Sequence, residues 1–342
     1  MSTLTAPTVF AGAPAFDAAS ERQALLRLGR LLAAAGYRHT AVSAASHQRV
    51  VQRAQANAAN ASSTTVTLND IFGLSQRFSA DQVDPAIWNA MNEAGIVRRD
   101  GTGWRSKLRV ASAADGSALF FHSSYPTLDD DAVFFDPDTY RFMRVLRTAL
   151  TGRQQQVQRA IDIGAGAGAG AALIARQWPA AEVLAVDLNR NALKLTAVNA
   201  ALAGASGVRP VHADTFSGIE GRFDLIIAHP PYLLDPCGRP LRHGGGVHGE
   251  QRSFDIVRQA LARLAPGGRL LLYTGVAMVD GRDPLLARLA PLLEQAGMAW
   301  RYEEIDPDIH GDELDEPGYE SADRIAAVWL DASMAKMPSQ LA

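Results

Sequence analysis

From about residue 130 onward the chain alternates between two periodicities, and that alternation restricts what it can fold into. Apolar runs of strand length (IDIG, EVLAVD, GVRPVHAD, FDLIIAHPPY, RLLLYTGVAM) are interleaved with stretches of helical spacing (AALIARQW, NRNALKLTAVNAALAG, FDIVRQALARLAPGG, PLLARLAPLLEQAG). A helix between two strands returns the chain to the same end of the sheet, so the pattern predicts a parallel, doubly wound α/β sheet. Two last strand patterns, near 299–305 and 324–330, have no helix between them and are expected to add an antiparallel hairpin at one edge.

The preceding third reads differently. Residues 1–18 are small and aperiodic, a mobile tail. Ser20 with Gln23 has a capping-box pattern, and Leu25, Leu26, Leu28, Leu31 and Leu32 recur at helical spacing until Gly36. A second helical run, near 46–58, is expected to dissolve into a loop over AQANAANASSTT. Short helices follow around 67–74 and 83–94, then strands IVRR, WRSKLRV and SALFFHSS. Helices leading into a twisted hairpin predict a winged-helix-like α+β substrate or cap domain over 19–126, with the α/β domain over 127–342.

With 342 residues, 47% of them hydrophobic, the chain is long enough for two such cores. A net charge of -3 supplies no global field toward nucleic acid or an anionic membrane. Arg98, Arg99, Arg105, Lys107 and Arg109 nevertheless cluster on the expected wing, opposed there by Asp100 alone, as a nucleic-acid footprint or as an ordinary solvated hairpin face. No run reaches the ~18 apolar residues of a membrane span. The single cysteine, Cys237, makes no disulfide framework and fits a reducing cytoplasm.

Chemistry concentrates at two strand exits. Asp162-Ile-Gly164-Ala-Gly166-Ala-Gly168 follows the first strand and opens a helix, and glycines there let a ligand approach the main chain. Asp187 ends the next strand, where a carboxylate can accept both hydroxyls of a ribose. Nicotinamide dinucleotides use the same pattern, but Asp162 stands where their strand keeps an apolar residue, whereas it suits the ammonium of a methionine moiety.

These residues, with Asp214 before Thr215 and His229-Pro230-Pro231-Tyr232, are in the order and spacing of the class I S-adenosylmethionine (SAM)-dependent methyltransferases, which residues 130–330 resemble. Within them the chain is similar to the branch of release-factor glutamine and amino-group DNA methyltransferases, whose signature is Asn-Pro-Pro-Tyr. The segment Val133–Thr139 resembles the one that this branch folds over the cofactor. The resemblance implies a Rossmann-like seven-stranded domain, with SAM held by Asp162, Gly164, Gly166 and Gly168 at its amino-acid end and touched also by Thr139 and His229. It further implies Asp187 and Leu188 at the ribose and Asp214 and Thr215 at the adenine, with His229, Pro230 and Tyr232 facing the methyl acceptor.

Proline at 230 has no amide hydrogen and a fixed φ, so its carbonyl is a rigid acceptor for the substrate nitrogen. His229 departs from the branch. Neutral imidazole offers one acceptor and one donor and takes up a proton near neutral pH, unlike a carboxamide. The acceptor is therefore expected to be a nitrogen or oxygen of a small amine-bearing metabolite or peptide, with His229 as base. Three alternatives stay open: a protein glutamine or nucleobase acceptor, SAM use without methyl transfer such as cyclisation, and a nicotinamide dehydrogenase. No metal is called for; His243, His248 and Glu250 lack helical ligand spacing. The long loop after Tyr232 is read as a lid or a solvated excursion, and the acidic stretch 306–321 as a solvated loop or a wall for a cationic substrate.

Overall fold

The computed structural model describes residues 19–59, 65–127, 129–151, 156–235, 238–239 and 242–334, so the tail 1–18 and Cys237 lie outside the described residues. The second half is Rossmann-like. Strands β5 (Arg159–Ile163), β6 (Glu182–Asp187), β7 (Val208–His212), β8 (Phe223–Ala228), β9 (Leu264–Val279), β10 (Ala299–Asp306) and β11 (Ala322–Ser333) form one sheet in the order β10-β11-β9-β8-β5-β6-β7. All neighbours from β7 to β9 are parallel, and β11 runs antiparallel between β9 and β10. The expected final hairpin is present, with its second strand inserted inward and its first at the edge.

Helices α6 (Ala169–Gln177), α7 (Arg190–Leu202), α8 (Gln251–Leu261) and α9 (Pro284–Gln295) cover the two faces. On β8, Leu225 and Ile227 join one core while Ile226 and Ala228 join the other, with α8 and α9 on the latter side. Burial on both faces is why this strand reads as an unbroken apolar run rather than an alternating one. An unanticipated helix, α5 (Pro137–Leu150), precedes β5. Asp136 caps it in a reciprocal box with Thr139, and Pro137 occupies the first turn.

The N-terminal layer comprises α1 (Ala19–Ala34), α2 (Ala44–Ala59), α3 (Leu68–Phe72) and α4 (Pro85–Glu93), followed by β1 (Val97–Asp100), β2 (Gly103–Ser106), β3 (Leu108–Ser112) and β4 (Leu119–Ser123). Three expectations change here. Ser20 lies inside α1 instead of capping it. The residues AQANAA remain helical, in α2. The stretch read as one strand, WRSKLRV, breaks at Lys107 into β2 and β3, giving two separate two-stranded sheets in place of one wing. Leu108 bonds back to the Ser106 hydroxyl, which turns the chain at that point.

The layer is not an appendage. Its apolar core is continuous with that of the Rossmann-like sheet. Gly29 lets α1 approach α7 so closely that a Cβ would lie 2.5 Å from Leu202. Asn199 of α7 is fully buried and pairs with β4 as another strand would: its Oδ1 accepts from the Phe121 amide at 2.8 Å and its Nδ2 donates to the Phe121 carbonyl at 3.0 Å. The same Nδ2 reaches the Ala167 carbonyl in the glycine turn at 2.9 Å. One amide thus ties the N-terminal hairpin to the ligand-binding turn. Among the described residues no helix is long and apolar enough to cross a membrane.

Candidate active site

A cavity of about 1130 Å3 opens at the carboxyl ends of β5, β6 and β8, where open α/β sheets bind ligands. Its size exceeds that of usual single-ligand pockets, leaving room for a second molecule. At one end lies the glycine turn. The amides of Gly164 and Ala165 donate to the Val186 carbonyl at 2.9 and 3.0 Å, fastening the turn to β6. Gly164 has φ +73°, and the site of its missing Cβ is 3.5 Å from the His229 carbonyl oxygen, so the turn and the β8 exit nearly touch. Asp187 receives the Gly166 amide on Oδ2 at 2.9 Å and the Asn189 amide on Oδ1 at 2.8 Å. Each oxygen keeps a second lone pair for a ribose hydroxyl.

Asp162 is buried and lines the cavity. Its Oδ2 accepts the Ala171 amide in the first turn of α6 at 2.8 Å, and no cation pairs with it among the described residues. Burial therefore pushes its carboxyl up to about 7, against the pull of that amide. A buried carboxylate without a cation at the end of a ligand cavity fits a ligand ammonium. Thr139, Leu188, Asp214 and Thr215 also line the cavity. The Thr215 hydroxyl is committed to Gln259 at 2.9 Å, and Asp214 is exposed, 3.9 Å from Arg252. Gly168 is the exception. It does not line the cavity; at φ +81° it caps α6, and a Cβ would meet Thr196 at 2.8 Å. Helix packing, not ligand contact, demands glycine there.

At the β8 exit, His229, Pro230 and Tyr232 come together on the cavity wall. The unexpected member is Asp138, buried in the first turn of α5. Its carboxylate accepts hydroxyl hydrogens from Tyr232 and, at 2.5 Å, from Tyr273 of β9. His229 Nε2 lies 3.6 Å from Asp138 Oδ2, and Arg141 lies 3.6 Å from Oδ1. Burial pushes the Asp138 carboxyl up, but the nearby imidazole and the two phenol donors outweigh it and hold it at about 2. Asp138 is thus a fixed anion behind the histidine.

Tyr232 donates its only hydroxyl hydrogen to Asp138, so the contact at 3.0 Å to His310 Nε2 has the imidazole as donor. Its hydroxyl is fully occupied by protein groups, which leaves the ring to face a ligand. That ring fills the place where residue 275 would have a side chain: a Cβ on Gly275 would sit 2.3 Å from it. His229 and Tyr232 lie with ring planes 17° apart, and Tyr273 meets the imidazole edge-on at 4.8 Å between centroids.

Both long loops reach the cavity. Leu234, Asp235 and Arg242 come from the segment after Tyr232, and Asp308, His310, Asp312 and Glu313 from the acidic stretch, whose centre is a 3-10 turn at Gly311–Asp315. Of the supposed basic wing, Arg109 is buried on β3 and lines the cavity, Arg105 pairs with Asp100, and Arg99 lies over Trp104.

Sequence reasoning missed Asp138, Tyr273, His310 and the placement of Arg109. A signal existed for Tyr273: a tyrosine inside a strand buried on both faces must find a partner for its hydroxyl.

Residues 132–278 match the methyltransferase small domain family. The release factor glutamine methyltransferase of Deinococcus radiodurans is 35% identical over 200 residues, covering 55% of this chain and 66% of that protein. The 4-amino-L-phenylalanine/4-methylamino-L-phenylalanine methyltransferase of Streptomyces pristinaespiralis is 34% identical over 139 residues, covering 37% and 47%. This chain carries a class I SAM-dependent methyltransferase domain of the release-factor glutamine methyltransferase branch. It spans 43% to 66% of the length of the first three curated relatives it matches. The crystal structure of M. jannaschii TYW2 in complex with AdoMet aligns over 68% of this chain and 87% of that one, with 16% identity and a TM-score of 0.45.

Proposed function

We propose that the protein is a SAM-dependent methyltransferase acting on a nitrogen of an amine-bearing small molecule or peptide. The observation that carries this reading is the imidazole at the β8 exit, backed by the buried Asp138 anion, where the resembled branch has a carboxamide. SAM, when bound, supplies an electrophilic methyl on sulfur. Asp187 would accept the ribose hydroxyls, Asp162 would face the ammonium, and Gly164 and Gly166 would give the ligand access to the main chain. The Pro230 carbonyl aims the acceptor nitrogen. A nitrogen that has gained a methyl must shed a proton, and His229 would take it. Asp138 stabilises the resulting imidazolium. Holding nucleophile, methyl and sulfur in line supplies much of the rate. The layer over residues 19–126 walls the acceptor side of the cavity.

Methylation of a protein glutamine is the second reading, favoured by the 35% identity to a protein that acts on release factor glutamine. Incubation with methyl-labelled SAM and either 4-amino-L-phenylalanine or a glutamine-bearing release-factor peptide separates the two. Label on the amine supports the first reading; label confined to the peptide overturns it. Methylthioadenosine formed from SAM alone would show cyclisation instead.

A further inference from the structure

The cavity extends beyond the groups used above, to a wall supplied by the N-terminal layer. Arg109 stands there on β3. It is only 6% exposed, and its Nε donates to the Ser123 carbonyl at 3.0 Å. Its remaining guanidinium nitrogens have no hydrogen-bond or ion-pair partner among the described residues, and the side chain lines the cavity. The carboxylate of Asp136 attracts it without forming an ion pair, which leaves donors of this largely desolvated guanidinium free to take an anion. Burial lowers its pKa to about 10, with Asp136, Tyr125 and Tyr37 acting the other way, so it is a cation at neutral pH.

A second feature meets it in the same cavity. The amino end of α2, a 16-residue helix, lines the wall through Ser43, Ala44 and Ala45. Among the described residues the Ser43 hydroxyl accepts only the Ser46 amide, at 3.3 Å. The amides of Ala44 and Ala45 have no acceptor among the described residues. A helix amino end with free amides attracts anions, and a guanidinium is the side chain best shaped to grip a carboxylate in two places.

We propose that Arg109 and the amino end of α2 form a carboxylate-binding subsite, through which the N-terminal layer holds one end of a ligand in the methyl-transfer cavity. Two carboxylates can reach such a site: that of the methionine moiety of SAM, and that of an amino-acid-like acceptor. The histidines nearby do not compete for the role. His39, His47 and His122 have their pKa values lowered by burial and by the charge of Arg109, so near neutral pH they add no cation. In this arrangement Arg109 is a specificity residue, since it binds a part of the ligand remote from the reacting atoms.

The subsite rests on the cavity being the SAM site, and 5′-methylthioadenosine, which has no carboxylate, tests that reading separately. Calorimetric titrations of wild type and Arg109→Gln with S-adenosylhomocysteine and with 5′-methylthioadenosine form the first arm. If the cofactor supplies the carboxylate, the variant weakens S-adenosylhomocysteine by about tenfold or more and leaves 5′-methylthioadenosine unchanged. The second arm titrates S-adenosylhomocysteine-loaded protein with 4-amino-L-phenylalanine and its carboxamide. If the acceptor supplies the group, wild type prefers the acid by about tenfold and the variant loses that preference. Ala45→Glu repeats both arms on a variant whose fold is secure, because an acidic residue suits a first helical turn while repelling a bound carboxylate; the affected ligand should weaken several-fold. No loss in either arm for either variant overturns the subsite. Failure of wild type to bind S-adenosylhomocysteine or 5′-methylthioadenosine overturns the cavity reading and the subsite with it.

Discussion

The two ends of the cavity are built in different ways. At the glycine-turn end, Asp162, Gly164 and Gly166 come from the end of β5 and the turn that follows it, joined to the neighbouring strand by the Gly164 amide on the Val186 carbonyl and the Gly166 amide on the Asp187 carboxylate. At the other end the β8 exit meets groups from three separate places in the chain: Asp138 on α5, Tyr273 on β9 and His310 before the 3-10 turn. The first end is set by the fold itself. The second is assembled by tertiary packing, and that is where selectivity for an acceptor can differ between relatives sharing the same glycine turn.

This contrast predicts separable effects. The largest belongs to Asp138→Asn, which keeps the shape but removes the anion behind His229: kcat should fall by about 10²-fold or more while S-adenosylhomocysteine affinity holds, read by steady-state kinetics and calorimetry. Equal loss in kcat and cofactor affinity would merge the two ends. Asp187→Ala should do the opposite, weakening S-adenosylhomocysteine by roughly 1–3 kcal/mol with kcat at saturation little changed.

Asp162 gives a pH-dependent version of the same separation. Its carboxyl sits at about 7 in the ligand-free protein, and an ammonium requires it ionised. Cofactor affinity should therefore be flat above pH ~7 and weaken by up to about tenfold per unit below it, a slope that Asp162→Asn abolishes. The folded value lies above the unfolded one of about 3.9. The contribution of this group to ligand-free stability is thus full below pH ~4 and lost as pH rises toward ~7, which thermal melts across that window would register. Smallest is Gly168→Ala: with φ +81° and Thr196 at 2.8 Å, it should cost about 1–3 kcal/mol of stability. Cofactor affinity should not change, because the residue faces α7.

How much of this was legible in the sequence follows the same division. Strand–helix alternation, the Asp162–Gly168 turn and Asp187 are local patterns, so the sheet and the glycine turn at its carboxyl end could be read directly. Gly168 reads in the sequence like the glycines before it, because a required glycine looks the same whether a ligand or a helix occupies the space beside it; in the structure that neighbour is Thr196 of α7. Asp138 was overlooked within a segment already singled out, since its meaning depends on two tyrosines 94 and 135 residues further along the chain. Arg109 was read as part of an exposed basic face because strand alternation was carried through Lys107, where the chain in fact breaks between β2 and β3. Alternation gives the facing of a side chain only while a strand continues.

The most direct test of the central claim is a crystal structure with S-adenosylhomocysteine bound. The ribose hydroxyls are predicted to lie on Asp187, the ammonium to face Asp162, and the sulfur to point toward His229 and Pro230, with Asp138 still behind the imidazole. An adenosine seated away from Asp187, or an imidazole rotated off Asp138 and out of the cavity, would contradict the account.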